Sequence, residues 1–382
     1  MNAELTEQQV LLRKTVRAFA EGEIAPVAEE LDRESRFPYE IVAKLGELGL
    51  MGMPVPEELG GAGLDTLSYA IAIEELARVD SSVAITVAAH TSLGTMPIVM
   101  FGDDAQKARW VPRLASGQIL GAFGLTEPEA GSDAGATRTR AEAQPDGGWV
   151  IDGSKMFITN AGTDITGCCA ITALTAPGEI TNFIVPADAP GYVAGPPLHK
   201  IGWRASDTRP LNFDDLYLDA DAMLGPKGQG FHQFLKVLDG GRISVGAIGL
   251  GLAQGAFELA LQHAKQRRQF GKALVGFQVV QFQLAEMATE IASARSLLYL
   301  AARLKDAGDG FTKTAAMAKL VTGRLAQTVA ERALHLHGGY GWMEESPIAR
   351  FYRDAKILDI GEGTVEVQKM VIARAIGAYE EA

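Results

Sequence analysis

Cysteine is nearly absent from the chain: two occur among 382 residues, adjacent at Cys168 and Cys169. Direct neighbours rarely close a disulfide, because the bond would be strained. No disulfide framework is available, and the pair fits a reducing compartment such as the cytoplasm. Positive charge is also short. Thirty-five Lys and Arg face 47 Asp and Glu, a net charge of -12, which argues against nucleic acid and against an anionic membrane surface. No uninterrupted apolar run reaches the roughly 18 residues of a membrane span, so no transmembrane helix is expected. Residues 1–6 lack the basic and apolar regions of a secretory signal. There is no P-loop, no G-x-G-x-x-G after a strand and no G-x-S-x-G elbow. His335 and His337 are two residues apart and face different ways on a helix, and no Cys or carboxylate stands at a ligand spacing from them, so no metal site is expected. Internal repeats and low-complexity tracts are missing as well.

The rest is ordinary for a soluble enzyme, with 47% hydrophobic and 21% charged residues. The length allows two or three domains. Residues 1–120 read as helices. Thr6 to Gln9 matches a capping box before Leu12, Val16 and Phe19 at helical spacing. Pro38 suits the first turn of a helix that carries Ile41, Leu45 and Leu48 and stops at Gly49. Residues 66–78 form another helix, and 81–99 read as a buried one. From Gly121 the pattern changes. Ala141 to Ala143, a turn at 145–148 and Trp149 to Ile151 read as a hairpin, and short strands follow at 169–171, 182–185 and 211–213. This middle β-domain, 121–224, is expected to be antiparallel. Helical period then returns for 225–382, where Leu284, Met287, Ile291, Ala294 and Leu298 repeat as in a bundle helix. Segments 230–268, 277–307, 312–337 and the tail after Glu366 supply four helices. The fold class is α+β, mostly α.

Five segments carry chemistry. Gly361-Glu362-Gly363-Thr364 sets one carboxylate between glycines, which permit positive φ and close approach of another group. Glu362 is therefore a candidate general base, although a solvated turn would use the same residues. Leu125 to Asp133 offers backbone N–H groups and hydroxyls to a phosphate or ring edge, or is a polar linker. Lys155 to Asn160 puts Phe157 and Thr159 on one side of a strand. Arg267 and Arg268, followed by Phe270, Gly271 and Gln278, form either an anion site or a charged turn. The glycines of 335–341 allow a ligand near the backbone.

Together these segments resemble the acyl-CoA dehydrogenase family. The resemblance spans nearly the whole chain: T-E-P-E-A-G-S-D at 126–133, K-M-F-I-T-N at 155–160, R-x-x-F-G at 267–271, H-G-G-Y-G-W at 337–342, and R-D-A-K leading to E-G-T at 353–364. It implies an N-terminal α-domain, a middle β-domain and a C-terminal four-helix bundle, with FAD between the last two. It also implies a homotetramer in which a neighbouring subunit completes the FAD site. By position, Phe123, Leu125, Thr126, Ile158 and Thr159 would contact the flavin, with Phe157 against its face. Ser132 would serve both FAD and the CoA arm. Arg267, Gln269, Phe270, Gln278, His335, Gly338 and Gly339 would bind the FAD of an adjacent subunit, and Thr364 and Glu366 would also touch the cofactor. Asp239, Arg242, Gly361 and Gly363 fall on the substrate side. Glu362 would remove the α-proton of an acyl-CoA while the β-hydrogen leaves as hydride to the flavin, giving a trans-2-enoyl-CoA. An electron-transferring flavoprotein would reoxidise the flavin.

Three departures from the family pattern bear on substrate. Gly361 replaces the aromatic usual before the base, which leans the expectation towards a branched, cyclic or bulky acyl group. Gly241 leaves empty the position where a minority of relatives carry their catalytic Glu. His335 replaces a glutamine and puts one FAD contact in doubt. Residues 81–93 hold no Arg or Lys, which disfavours a dicarboxylyl chain if no cation enters from elsewhere. Rival readings are a same-fold oxidase or monooxygenase and a non-catalytic scaffold. The presence of Glu362 argues against the monooxygenase, and retention of Glu362, Thr126 and Thr159 together argues against the scaffold.

Overall fold

The computed structural model describes residues 4–378. Helix α1, Glu7–Phe19, starts from the capping box expected of it: the Thr6 hydroxyl accepts from Gln9 N at 3.2 Å and the Gln9 side chain accepts from Thr6 N at 3.1 Å. α2 spans Ala28–Glu34, a helix the sequence reading passed over, and α3 spans Tyr39–Glu47 with Pro38 at its N-cap. α4, Thr66–Ala77, is buried on every side. The apolar stretch after it is a single rod in three parts: α5 at Ser81–Ala88, a π-helical turn at Ala89–Thr95 and α6 at Met96–Phe101. α7, Asp104–Ala115, closes the region.

His90, in the π turn, anchors the chain as it enters the sheet. Its Nδ1 accepts from Gly121 N at 3.0 Å and its Nε2 lies 2.9 Å from the Leu114 carbonyl. Burial pushes its pKa down to about 4, so the ring is neutral, with Nε2 donating.

Eight strands follow: β1 Leu120–Gly124, β2 Arg140–Ala143, β3 Trp149–Thr159, β4 Thr166–Ala176, β5 Glu179–Pro186, β6 Tyr192–Ala194, β7 Thr208–Leu218 and β8 Met223–Leu224. Their order is β6-β7-β3-β2-β4-β5-β8, with β1 beside β4. The expected hairpin is β2–β3, with Ala143 opposite Trp149. The sheet is mixed rather than purely antiparallel, since β1 and β2 each lie parallel to β4. The β2–β3 hairpin intervenes before the chain returns, and the longer connection permits a parallel neighbour where a tight turn would not. Trp149, Ile151, Phe183 and Leu216 fill its core.

The C-terminal helices are α8 Gly230–Gln266, α9 Gln278–Asp306, α10 Thr312–His337, α11 Pro347–Ala355 and α12 Val365–Ala375, with a small ribbon of β9 Arg268–Gln269 and β10 Lys272–Ala273 between α8 and α9. All five residues of the apolar repeat on α9 are buried. Two segments, Ser81–Phe101 and Gly230–Gln266, are long and apolar enough to cross a membrane by length and composition alone, although neither is an unbroken apolar run; their most apolar windows are 83% and 78% buried inside the fold. That apolarity packs the core shared by the helical regions.

Candidate active site

The loop between α11 and α12 carries Glu362. After α11 a short turn, Lys356–Asp359, leads to Gly361, whose N–H donates to the Ile357 carbonyl at 2.8 Å. Glu362 then takes φ 50° and Gly363 φ 89°. A left-handed φ costs a non-glycine residue on the order of 1 kcal/mol and persists only where the surroundings impose it. Here α10 and α12 impose it. Lys319 Nζ donates to the carbonyls of Leu358 at 2.9 Å and Gly363 at 2.7 Å. Gln368 Nε2 donates to the carbonyls of Glu362 at 3.3 Å and Gly363 at 3.0 Å. Thr364 caps α12 by accepting from Val367 N at 3.3 Å.

Glu362 as a whole is half-buried, but its Oε2 is enclosed and has no hydrogen-bond partner among the described residues. Burial pushes its pKa up to about 7, against the pull of Lys319 and Arg242. Gly241 leaves the room this carboxylate occupies: a Cβ there would lie 2.7 Å from Oε2. One residue on, Arg242 pairs with Asp239, which also accepts from Thr312 Oγ1 at 2.7 Å, and Arg242 Nε is buried without a partner. Among the described residues no acceptor takes the Glu362 N–H. The site therefore presents an enclosed base of near-neutral pKa beside unengaged donors, a set suited to deprotonating a weak carbon acid.

A second group lies on the sheet. The Thr126 carbonyl accepts from Met156 N at 2.9 Å, which ties the 125–127 segment to β3. Lys155, fully buried, donates to Glu127 Oε1 at 2.7 Å, to Thr172 Oγ1 at 2.9 Å and to the Leu125 carbonyl at 3.4 Å. A register shift between Lys155 and Ile158 gives Phe157 φ 62° and leaves its ring 65% exposed. The shift breaks the strict alternation on which a shared face for Phe157 and Thr159 was expected. Ile158 is buried, and the Thr126 and Thr159 hydroxyls have no partner among the described residues. Phe123 stacks on Phe234 at 4.1 Å. Ser132 is exposed.

The remaining expected residues gather at the other end of α8. Arg267 lies 5.5 Å from the Tyr340 ring, and His263 stacks on His337 at 4.3 Å, which brings segments 267–271 and 335–341 together. Phe270 is 93% exposed, and Gln269, Gln278, His335, Gly338 and Gly339 are exposed too. None of these is hydrogen-bonded or ion-paired to Glu362, nor is Glu366 on α12. A cavity of about 420 Å³ opens beside Tyr69, Ser92, Asp239 and Gly240, and it is also lined by Lys236 and Lys305. Cations thus do enter this cavity from α8 and α9, so the lack of Arg and Lys in residues 81–93 does not exclude a dicarboxylyl chain.

Models of the N-terminal, middle and C-terminal domains of acyl-CoA dehydrogenase match residues 6–118, 122–216 and 228–377. The chain belongs to the acyl-CoA dehydrogenase family. It is 45% identical over 378 residues to the short-chain specific acyl-CoA dehydrogenase of Clostridium acetobutylicum, covering 98% of this chain and 100% of that one. Butyryl-CoA dehydrogenase from Megasphaera elsdenii superposes with a TM-score of 0.96 at 43% identity, covering 98% and 100%. A chain from the solved structure of the electron transferring flavoprotein of Acidaminococcus fermentans gives 0.96 at 41%, covering 98% and 99%. This acyl-CoA dehydrogenase is an FAD-dependent oxidoreductase. The site residues fit that cofactor: an exposed Phe157 ring, two unengaged hydroxyls at Thr126 and Thr159, and an orphaned buried Trp203 Nε1 suit a flat ring with polar edges.

Sequence reasoning missed Lys319 and Gln368, and it gave Lys155, the first residue of the 155–160 run, no role of its own. The available signal was a charged residue in phase with buried small ones, as Lys319 is with Ala315, Ala316 and Thr322. Trp203 lies in the loop before β7. Its backbone N–H donates to Asp354 Oδ1 at 2.7 Å, and it takes φ 50°. Asp354 also accepts from Ser81 Oγ at 2.7 Å, which ties the sheet loop to α5 and α11, and burial pushes its pKa up to about 6. Cys168 and Cys169 are buried, with burial raising both thiols.

Proposed function

We propose that the chain converts an acyl-CoA thioester to a trans-2-enoyl-CoA, with Glu362 as the base that removes the α-proton. The observation that carries this is the enclosed, unpartnered Oε2 of Glu362, held in a left-handed loop with a pKa near 7. A base of that pKa is half ionised near neutral pH and gains driving force from its dry surroundings. The free Glu362 N–H is the donor assigned to the thioester carbonyl, where it would stabilise negative charge as the α-carbon is deprotonated. Phe123, Leu125, Thr126, Phe157, Ile158 and Thr159 would hold the flavin, which when bound takes the β-hydrogen as hydride. Ser132, Asp239 and Arg242 would receive the CoA arm.

The similar proteins include short-chain specific, butyryl-CoA and glutaryl-CoA dehydrogenases, which gives no support to the branched, cyclic or bulky acyl group expected from Gly361. We therefore assign a short acyl chain. The position of a Cβ on Gly361 makes only ordinary contact with Ile357, 3.5 Å from its carbonyl oxygen and 3.6 Å from its side chain. Width beside the base is thus the feature to test. The electron acceptor assigned is an electron-transferring flavoprotein. The exposed Phe270, Tyr340 and Trp342 are assigned to a homotetramer contact and the adjacent subunit's FAD. The compartment assigned is the cytoplasm.

The test is anaerobic titration of the purified yellow protein with butyryl-, isobutyryl-, isovaleryl- and octanoyl-CoA, following loss of the visible flavin band. Butyryl-CoA should bleach the wild type and leave Glu362→Gln coloured. Bleaching of Glu362→Gln at the wild-type rate would remove Glu362 as the base. Bleaching by none of the thioesters would favour the monooxygenase or scaffold readings. In Gly361→Tyr the ratio of isovaleryl to butyryl turnover should fall, and an unchanged ratio would show that residue 361 does not set the width.

A further inference from the structure

We infer that Lys319 is a positioning residue for the Glu362 base: from α10 it grips the carbonyls on both sides of the base and holds the carboxylate in its reactive orientation. This rests on the reading of Glu362 as base.

Lys319 is among the largest fully buried side chains of the protein, and it sits on a helix face otherwise made of Ala315, Ala316, Ala318 and Thr322. A lysine in such a place costs folding energy unless its ammonium is hydrogen-bonded or paired, since burial disfavours its charge. Burial does push its pKa down, to about 8, while Glu362 and Asp359 pull it back up. Its Nζ reaches across to the α11–α12 connection and donates at 2.9 Å to Leu358 and at 2.7 Å to Gly363. Those two carbonyls lie four residues before and one residue after Glu362. The segment between them holds Glu362 at φ 50°, a conformation that would relax if one end were released. Gln368 supports the Glu362 and Gly363 carbonyls from α12, sharing only Gly363 with Lys319, and reaches neither Leu358 nor any residue before Glu362.

The second consequence is electrostatic. The charged groups that act on the Glu362 carboxylate are Lys319 on α10 and Arg242 on α8, and both hold its pKa down against burial. Tyr69 on α4 faces it as a neutral phenol whose pKa is raised by burial. Arg242 is already paired with Asp239, whereas Lys319 contacts only carbonyl oxygens, so its charge is the less compensated of the two.

The test compares wild type, Lys319→Met, Lys319→Arg, Gln368→Leu and Glu362→Gln, together with Leu45→Ala, a fully buried position in α3 far from the base in sequence. The readouts are kcat, KM and the pH profile of kcat/KM with butyryl-CoA and an artificial electron acceptor, alongside thermal stability and FAD content. Lys319→Met should lower kcat by about a hundredfold with a small change in KM, because a displaced base costs rate rather than binding. Its acidic limb should move up by on the order of one pH unit, because loss of a nearby positive charge makes the carboxylate easier to protonate. Lys319→Arg should return the limb towards the wild-type position while kcat stays low, since the planar head cannot reproduce both contacts. Should Lys319→Met fail to fold, Lys319→Arg and Gln368→Leu carry the test, with kcat falling in both and the limb unmoved in Gln368→Leu. A limb that stays in place in Lys319→Met, or a kcat loss matched by Leu45→Ala at equal loss of stability, would reduce Lys319 to a structural role and overturn the inference. Activity surviving in Glu362→Gln would instead remove the base reading, whatever Lys319 does.

Discussion

Replacing Glu362 by Gln should stabilise the folded protein at pH 8 and leave its stability nearly unchanged at pH 5. In the folded state the carboxyl titrates near 7 instead of its ordinary 4.5. A raised acid pKa means that the native protein holds its proton where the unfolded chain has already released it, so stability falls as pH rises between the two values. The penalty is absent below 4.5, grows up to about 7 and is constant above that. A gap of about 2.5 pH units, at about 1.4 kcal/mol per unit, is on the order of 3 kcal/mol. A neutral Gln keeps the shape of the side chain and never bears that charge. The measurement is thermal unfolding of both proteins at pH 5 and pH 8, each with the same FAD content. A rise of a few degrees at pH 8, with little change at pH 5, is expected. Equal shifts at the two pH values, or a less stable Gln variant at pH 8, would refute the reasoning, because burial of the charge would then not be what raises the pKa. Such an outcome would also weaken the case that dryness activates this base.

Two further predictions concern packing. Gly241→Ala would set a Cβ 2.7 Å from Glu362 Oε2 and 3.3 Å from Leu93 Cδ2. The carboxylate, as the flexible end, must swing aside, so kcat should fall by about ten- to a hundredfold while FAD content and melting temperature hold, and an unchanged kcat would show that the carboxylate has slack. Lys155→Met would leave Glu127 buried at 4% exposure without its cation. Stability should drop by about 3–5 kcal/mol in urea unfolding, with partial recovery when Glu127→Gln is added; no recovery would mean that the loss comes from the freed Thr172 and Leu125 contacts.

Most of the architecture was legible in the chain because it rests on local periodicity. The capping box at Thr6 and Gln9, the α9 repeat from Leu284 to Leu298 and the turn between Ala143 and Trp149 each specify their element within a few residues. The parallel pairing of β1 with β4 was not legible, since Gly121 and Cys168 are partners far apart in the chain, with the β2–β3 hairpin between them. The bulge that exposes Phe157 depends on where β7 lies against β3, and nothing between residues 155 and 160 announces it.

Glu362 could be singled out from its flanking glycines and the five ordered segments, because backbone freedom beside a carboxylate is written locally. Whether that carboxylate is a base depended on residues far away in sequence. Lys319, Gly241, Leu93 and Gln368 come from four separate helical segments, and together they decide its backbone angle, its enclosure and its pKa. A dielectric environment has no sequence signature of its own. It is set by which atoms exclude water from a point in space, and only the packed tertiary structure determines that.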